Sequence, residues 1–161
     1  MSASYVGPLC DLTPAQLQEA FGVSDFFIYE VDFSGLASGA TALQTFTIQA
    51  DSNFLWQRGN YQADIAAAAF VYSTQPVPNI VLDISDTSSG RHLTSSPSPV
   101  ASFFGFGHGP ADLINPRWFR SNTQVTVSAT NYDAANTYNL RLSFIGTKFF
   151  QTASGYGIGN N

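Results

Sequence analysis

Few side chains in this sequence are of types that do chemistry. Its histidines are His92 and His108, too few for a three-histidine zinc site within one chain. Cys10 is the single cysteine, so no internal disulfide and no cysteine metal cluster can form; such a thiol behaves as a small hydrophobe. The best acidic cluster is DISDTSSG, residues 83–90, where Asp83 and Asp86 sit among serine and backbone oxygens. Calcium takes oxygen ligands of this kind, but the EF-hand spacing is missing and the same residues make an ordinary turn. Asp25, Glu30 and Asp32 lie around one strand, and paired carboxylates serve glycoside hydrolysis. Glu30 and Asp32 fall on the outward face of that strand, where solvation accounts for them. Serines are plentiful, yet no G-x-S-x-G elbow presents one as a nucleophile. GFGHGP, residues 105–110, has the glycines of a phosphate loop without its Lys and Ser/Thr. Those glycines let the backbone turn sharply beside Phe103, Phe104 and Phe106. The expectation is a protein without catalytic residues, cofactor or metal.

Contact chemistry is better represented. Trp118, in INPRWFRSN, reads as a loop residue between Arg117 and Arg120. Tryptophan and arginine are the residue types that concentrate binding energy at interfaces. Trp56 shares one face with Phe54 by alternation and reads as core.

The elements that must position these residues are strands. In QVTVSATNYDAANTYNLRLSFIG, residues 124–146, Val125, Val127 and Ala129 point one way and Thr126, Ser128 and Thr130 the other. After the polar NYDAAN the alternation resumes with Tyr138, Leu140, Leu142 and Phe144 inward, which predicts a hairpin whose second strand runs on to Phe150. FFIYEVDF alternates with Phe27, Tyr29, Val31 and Phe33 on one face; LQTFTIQA turns Phe46 and Ile48 inward; NFLWQR pairs Phe54 with Trp56; IVLDIS turns Ile80, Leu82 and Ile84 inward. ADIAAAAFVY is divided between helix by its alanines and strand by its ending, and strand is favoured by its neighbours. DTSSGR is a turn, and the long Pro/Gly segment after it has strand potential only over Val100 to Phe104. One helix is expected at Thr13 to Gly22, with Thr13 as cap, Pro14 at the first position, Gln16 completing a capping box and Gly22 closing it.

These elements predict an all-β fold, an antiparallel β-sandwich of jelly-roll type with one short N-terminal helix. An N-terminal arm, 1–11, and a Gly-rich tail, 151–161, flank a sandwich domain of 12–150, and no repeat or second domain is visible. Charged residues make up 11% of the chain, against about 25% in ordinary soluble domains. The surface is therefore covered by Ser, Thr, Asn, Gln and Gly, which are easily desolvated against other proteins. Net charge is −5 with six scattered basic residues, so a nucleic-acid partner is not expected. No run is apolar enough to span a membrane, and MSASYVGPLCDL lacks the pattern of a signal peptide, which suggests a protein made in the cytoplasm.

Four stretches taken together carry a resemblance: FLWQRGNYQADIAAAAF, QPVPNIVLDISDTSSGRHL, FFGFGHGPADLINPRWFRSNTQVTVSATNY and YNLRLSFIGTKFF, spanning residues 54–150. In that order they give an aromatic-Arg strand, a D..SGR.L turn, an FG…P..L…P..F..N connection and a last strand ending L.F.G.K.F. The chain resembles small virion structural proteins of tailed bacteriophages, of the capsid cement or decoration kind. The resemblance implies a β-sandwich, made in the host cytoplasm, that docks on the capsid surface and bridges capsomers. Its partner would be the major capsid protein, and it would itself be a homo-oligomer on a symmetry axis. Arg58, Arg91, Arg117 and Arg120 would be polar anchors and Phe106, Trp118 and Phe119 apolar ones; solvation alone also accounts for each arginine. The terminal arms could add strands to a neighbour's edge. The alternative is a carbohydrate- or receptor-binding module of a viral fibre or tail, with Trp118 stacking on a sugar ring. A hydrolase on a β-sandwich, using Asp83 or His108, is the third reading.

Overall fold

A computed structural model describes residues 23–66 and 77–150. Within them run ten strands: β1 (Ser24–Leu36), β2 (Thr41–Thr47), β3 (Ser52–Ile65), β4 (Ile80–Asp86), β5 (Arg91–His92), β6 (Ser98–Pro99), β7 (Gly105–Phe106), β8 (Ala111–Phe119), β9 (Gln124–Asn131) and β10 (Tyr138–Phe150). One sheet has the order β1-β10-β3, with β7 and β8 both on the far flank of β3; the other has β2-β9-β4, with β5 and β6 beside β4. All pairings are antiparallel except the two-residue contact of β7 with β3. The protein is thus an all-β sandwich of two antiparallel sheets. Among the described residues the only helical turn is a 3-10 turn, Val100–Ser102. The helix expected at 13–22, both terminal arms, Cys10 and most of the alanine run lie outside the described residues; Ala63 to Ile65 of that run end β3 as expected.

Alternation places the core. Tyr29, Val31 and Phe33 of β1, Phe54 and Trp56 of β3, and Leu140, Leu142 and Phe144 of β10 face Ile80, Leu82 and Ile84 of β4 and Val125, Val127 and Ala129 of β9. Trp56 is the largest of them: its ring lies 4.7 Å from Phe144 and its indole N–H donates to the carbonyl of Arg58 at 2.6 Å, so the buried polar edge is satisfied. Removing such a ring costs about 3–5 kcal/mol. In β3 the inward parity changes from Phe54 and Trp56 to Tyr61 and Ala63. A bulge causes this: Gly146 of β10 opposes Trp56 and Ile145 opposes Arg58, leaving Gln57 as the extra residue. Outside β9, Thr130 and Thr126 meet Thr41 and Thr45 of β2 hydroxyl to hydroxyl at 2.8 and 3.1 Å, cross-strand pairs that lock the register.

One inward position of β10 is polar. Lys148 is 2% exposed. Its Nζ lies 3.5 Å from the centre of the Phe27 ring and donates to the Gln49 side-chain carbonyl. Burial pulls its pKa below the usual lysine value, and Asp51 acts in the opposite direction.

Three expectations are corrected. Residues 124–146 do not form a hairpin: β9 lies in one sheet and β10 in the other, so NYDAAN is an arch across the sandwich. Both strands alternate because both present an apolar face to the same core, and alternation does not say from which side. Val100 to Phe104 is not a strand but the 3-10 turn followed by Phe104, which is fully buried and packs edge-on against Phe144 at 5.1 Å. The Pro/Gly segment after it, in contrast, supplies β7 and β8.

A basic groove at one flank of the sandwich

The flank where β5 and β8 end their sheets holds a groove of about 800 Å³. Its walls bring Arg91 together with the consecutive Arg117, Trp118, Phe119 and Arg120, all residues expected at a contact surface. Arg91 follows a tight turn. The Asp86 carboxylate accepts from the backbone N–H groups of Ser88 and Ser89 at 2.9 and 3.1 Å and from the Ser89 hydroxyl at 2.7 Å, and Gly90 takes a φ of +66°, a conformation glycine adopts without steric cost. The turn is pinned to β9 by Thr87, whose hydroxyl donates to the Gln124 carbonyl at 2.6 Å. Arg117 stands opposite Trp56 in the β3–β8 ladder.

Arg120 leads a connection held at each residue. Thr123 N–H donates to the Arg120 carbonyl at 3.1 Å and Asn122 N–H to that of Ile48 at 3.0 Å. Ser121 N–H donates to the side-chain carbonyl of Asn53 at 3.0 Å. All three arginines are exposed, and none forms an ion pair among the described residues.

Two neighbours differ from expectation. Trp118 is a strand residue, not a loop residue: it pairs with Leu55 in the ladder and packs half-buried against Phe149, ring centres 5.4 Å apart. Phe119 is 3% exposed and belongs to the core, so its ring is unavailable as an apolar anchor. The sequence does not announce this strand because β8 is interrupted. Its pairing shifts between Arg117 opposite Trp56 and Asp112 opposite Arg58, so that Leu113 to Pro116 bulge away from the ladder and Ile114 is 98% exposed. No alternation survives such an excursion.

Arg58 and Phe106 lie apart from the groove. Arg58 donates to Asp112 at 2.6 Å beside a separate depression of about 320 Å³ that Phe26, Leu113, Pro116 and Ile145 also line. Phe106 is 40% exposed and tilts against Tyr61 at 5.3 Å.

Glu30, Asp32, Asp83 and Asp86 are held in structural contacts. Arg141 takes both oxygens of Asp32, at 2.7 and 3.0 Å, with Glu30 at 3.8 Å. Asp83 is 3.0 Å from His92 Nδ1, and Asp86 caps its turn as described. Among the described residues no group of three or more His, Cys, Asp or Glu side chains is arranged to hold a metal ion. GFGHGP is a tight reversal: Gly109 N–H donates to the Phe106 carbonyl at 3.2 Å, and β8 follows it, not a helix. Compared with protein-family models and with curated protein sequences, the chain matches none.

Proposed function

We propose that this protein is a structural virion component, a cement or decoration protein that binds the exterior of a capsid and bridges its subunits, and that its sandwich is a jelly roll. The observation that carries the reading is the nesting of its strand pairs. β1 pairs with β10, β2 with β9, β3 with β8 and β4 with β5, a nesting that supports the jelly-roll reading, an architecture viral capsid domains and lectins share. That step is an analogy at the level of fold, and the sites supply the rest. The groove offers three arginines that have no ion pair among the described residues, while Phe26 and Ile114 are 67% and 98% exposed. Such surfaces suit a protein that ends surrounded by others. The lectin reading is less favoured because the Trp118 ring is half-buried against Phe149 and offers less of its face to a sugar.

The mechanism is additive. A clamp that binds only the assembled shell stabilises it by mass action, and repetition over many symmetric contacts multiplies a modest affinity. The test is cryo-microscopy of purified particles together with protein quantification. The expected result is density for this sandwich on the head exterior, in copy number comparable to the shell subunit, and heads that break at lower temperature when it is missing. Heads without this density, or with full thermal resistance in its absence, would overturn the proposal.

A further inference from the structure

We propose that the groove between β5 and β8 is a docking site for an acidic peptide segment of the partner, whose carboxylates are taken by Arg91, Arg117 and Arg120. The site rests on the virion reading only for the identity of that partner, the shell protein.

The charge distribution carries the inference. The chain has a net charge of −5 and only six lysines and arginines. Elsewhere its cations are matched: Arg58 has Asp112 at 2.6 Å, Arg141 has Asp32 at 2.7 Å, and Lys148 is buried against Phe27 and Gln49. The three exposed cations that have no ion pair among the described residues all line one groove. Like charges gathered in this way repel, and folding gains nothing from the arrangement; an arriving carboxylate does. The opposing charge on the groove wall is that of Asp86, whose oxygens are already engaged by Ser88 and Ser89. His92, also on the wall, is bonded to Asp83.

The guanidinium groups are also well placed. Each arises from a backbone held by its own hydrogen bonds or ladder pairing, so that only the side-chain rotamers are left to be ordered on binding. A planar guanidinium meets a carboxylate in two parallel hydrogen bonds, a geometry lysine does not reproduce. Recognition runs through side chains and not through an added strand, because Pro116 and the excursion of Leu113 to Pro116 blunt the β8 edge. An acidic peptide is favoured over nucleic acid on two grounds. A chain of net charge −5 repels a long polyanion, and a single groove touches few of its charges.

The experiment uses the full chain and a fluorescein-labelled hexaglutamate peptide, followed by anisotropy at low salt. Saturable binding is expected, weakened about tenfold or more by Arg117→Gln with Arg120→Gln and by moderate salt. Arg58→Gln, outside the groove, is expected to leave it within about twofold. Matched melting curves show that the variants remain folded. Absence of saturable binding, binding indifferent to the groove variants, or tighter binding of a short oligothymidylate or of inorganic phosphate would each overturn the proposal. The virion reading fails separately: peptide binding by a chain that is missing from heads sinks that reading alone, whereas a groove variant that attaches to heads as the wild type does sinks the groove alone.

Discussion

Asp133 shows how one side chain holds the arch that joins the two sheets. It sits in the arch between β9 and β10, where its carboxylate accepts from the Tyr138 hydroxyl at 2.6 Å, the Ala135 and Asn136 N–H groups at 2.8 and 3.1 Å, and the Asn136 side-chain amide at 3.1 Å. The Tyr138 bond, followed by the Ala135 amide, holds its pKa well below the usual carboxylate range. The linkage has a definite sign. A carboxylate with a folded pKa below its unfolded value contributes stability that is present above about pH 4 and is lost as pH falls toward the folded value. Asp133→Asn is therefore expected to lower stability at neutral pH and to make its decline between about pH 4 and pH 2 shallower, as read by urea unfolding along a pH series. Parallel decline in both proteins would show that Asp133 has no part in the acid response. At the alkaline end Tyr138 acts in the opposite sense. Burial, and then Asp133, raise its pKa, so its contribution is present below about pH 10 and lost above it.

Among the elements, β10 is the one on which the sandwich depends, since it lies between β1 and β3 along its whole length. Gly146 marks its tightest passage. A Cβ added there would overlap the Leu55 backbone carbonyl and reach the Phe54 ring, at the place where the β3 bulge brings that strand close. Backbone cannot yield as a side chain can, so Gly146→Ala is expected to destabilise by about 2 kcal/mol or more, and a chemical-denaturation midpoint unchanged from the wild type would refute the close approach. The elements also show what a reader of the sequence can reach. β4, β9, β10 and β1 up to Phe33 are legible because each alternates against one core. β8 is not: Pro116 and the exposed Ile114 interrupt its pattern, and its ladder partner is more than fifty residues away in the chain, so nothing local announces it. For the same reason Trp118 reads as a loop residue when it is half-buried in a strand. The arginines of the groove could be named from composition, but their convergence depends on β5 and β8 ending neighbouring sheets, which is a property of topology. Phe119 misled because its neighbours Arg117 and Arg120 are polar, whereas its own register opposite Phe54 turns it into the core.

At the scale of the molecule, the nested pairing makes the fold one unit. The first and last described strands are partners, with Asp32 opposite Arg141, so neither sheet is complete until distant parts of the chain meet. Such non-local topologies fold slowly, in about milliseconds to seconds. The sheets share a single core, so they are expected to unfold together, with tryptophan fluorescence and far-ultraviolet circular dichroism tracing one coincident transition. The ends of the sandwich also meet: Phe150 N–H donates to the Val23 carbonyl at 3.0 Å. A circular permutant of the sandwich that links Phe150 to Val23 through a short flexible linker and opens between Ser95 and Ser96, exposed residues between β5 and β6, leaves every ladder intact. It is expected to fold with the wild-type spectrum and to lose no more than about 2 kcal/mol, since loop tips of this kind tolerate opening. Opening the chain instead between Thr126 and Val127, in the strand held by both β2 and β4, is expected to prevent folding. Two separate transitions in the parent, or a folded product from the second opening, would mean that the sheets are independent layers; coincident loss would mean that whatever the groove grips is connected to the whole of the core.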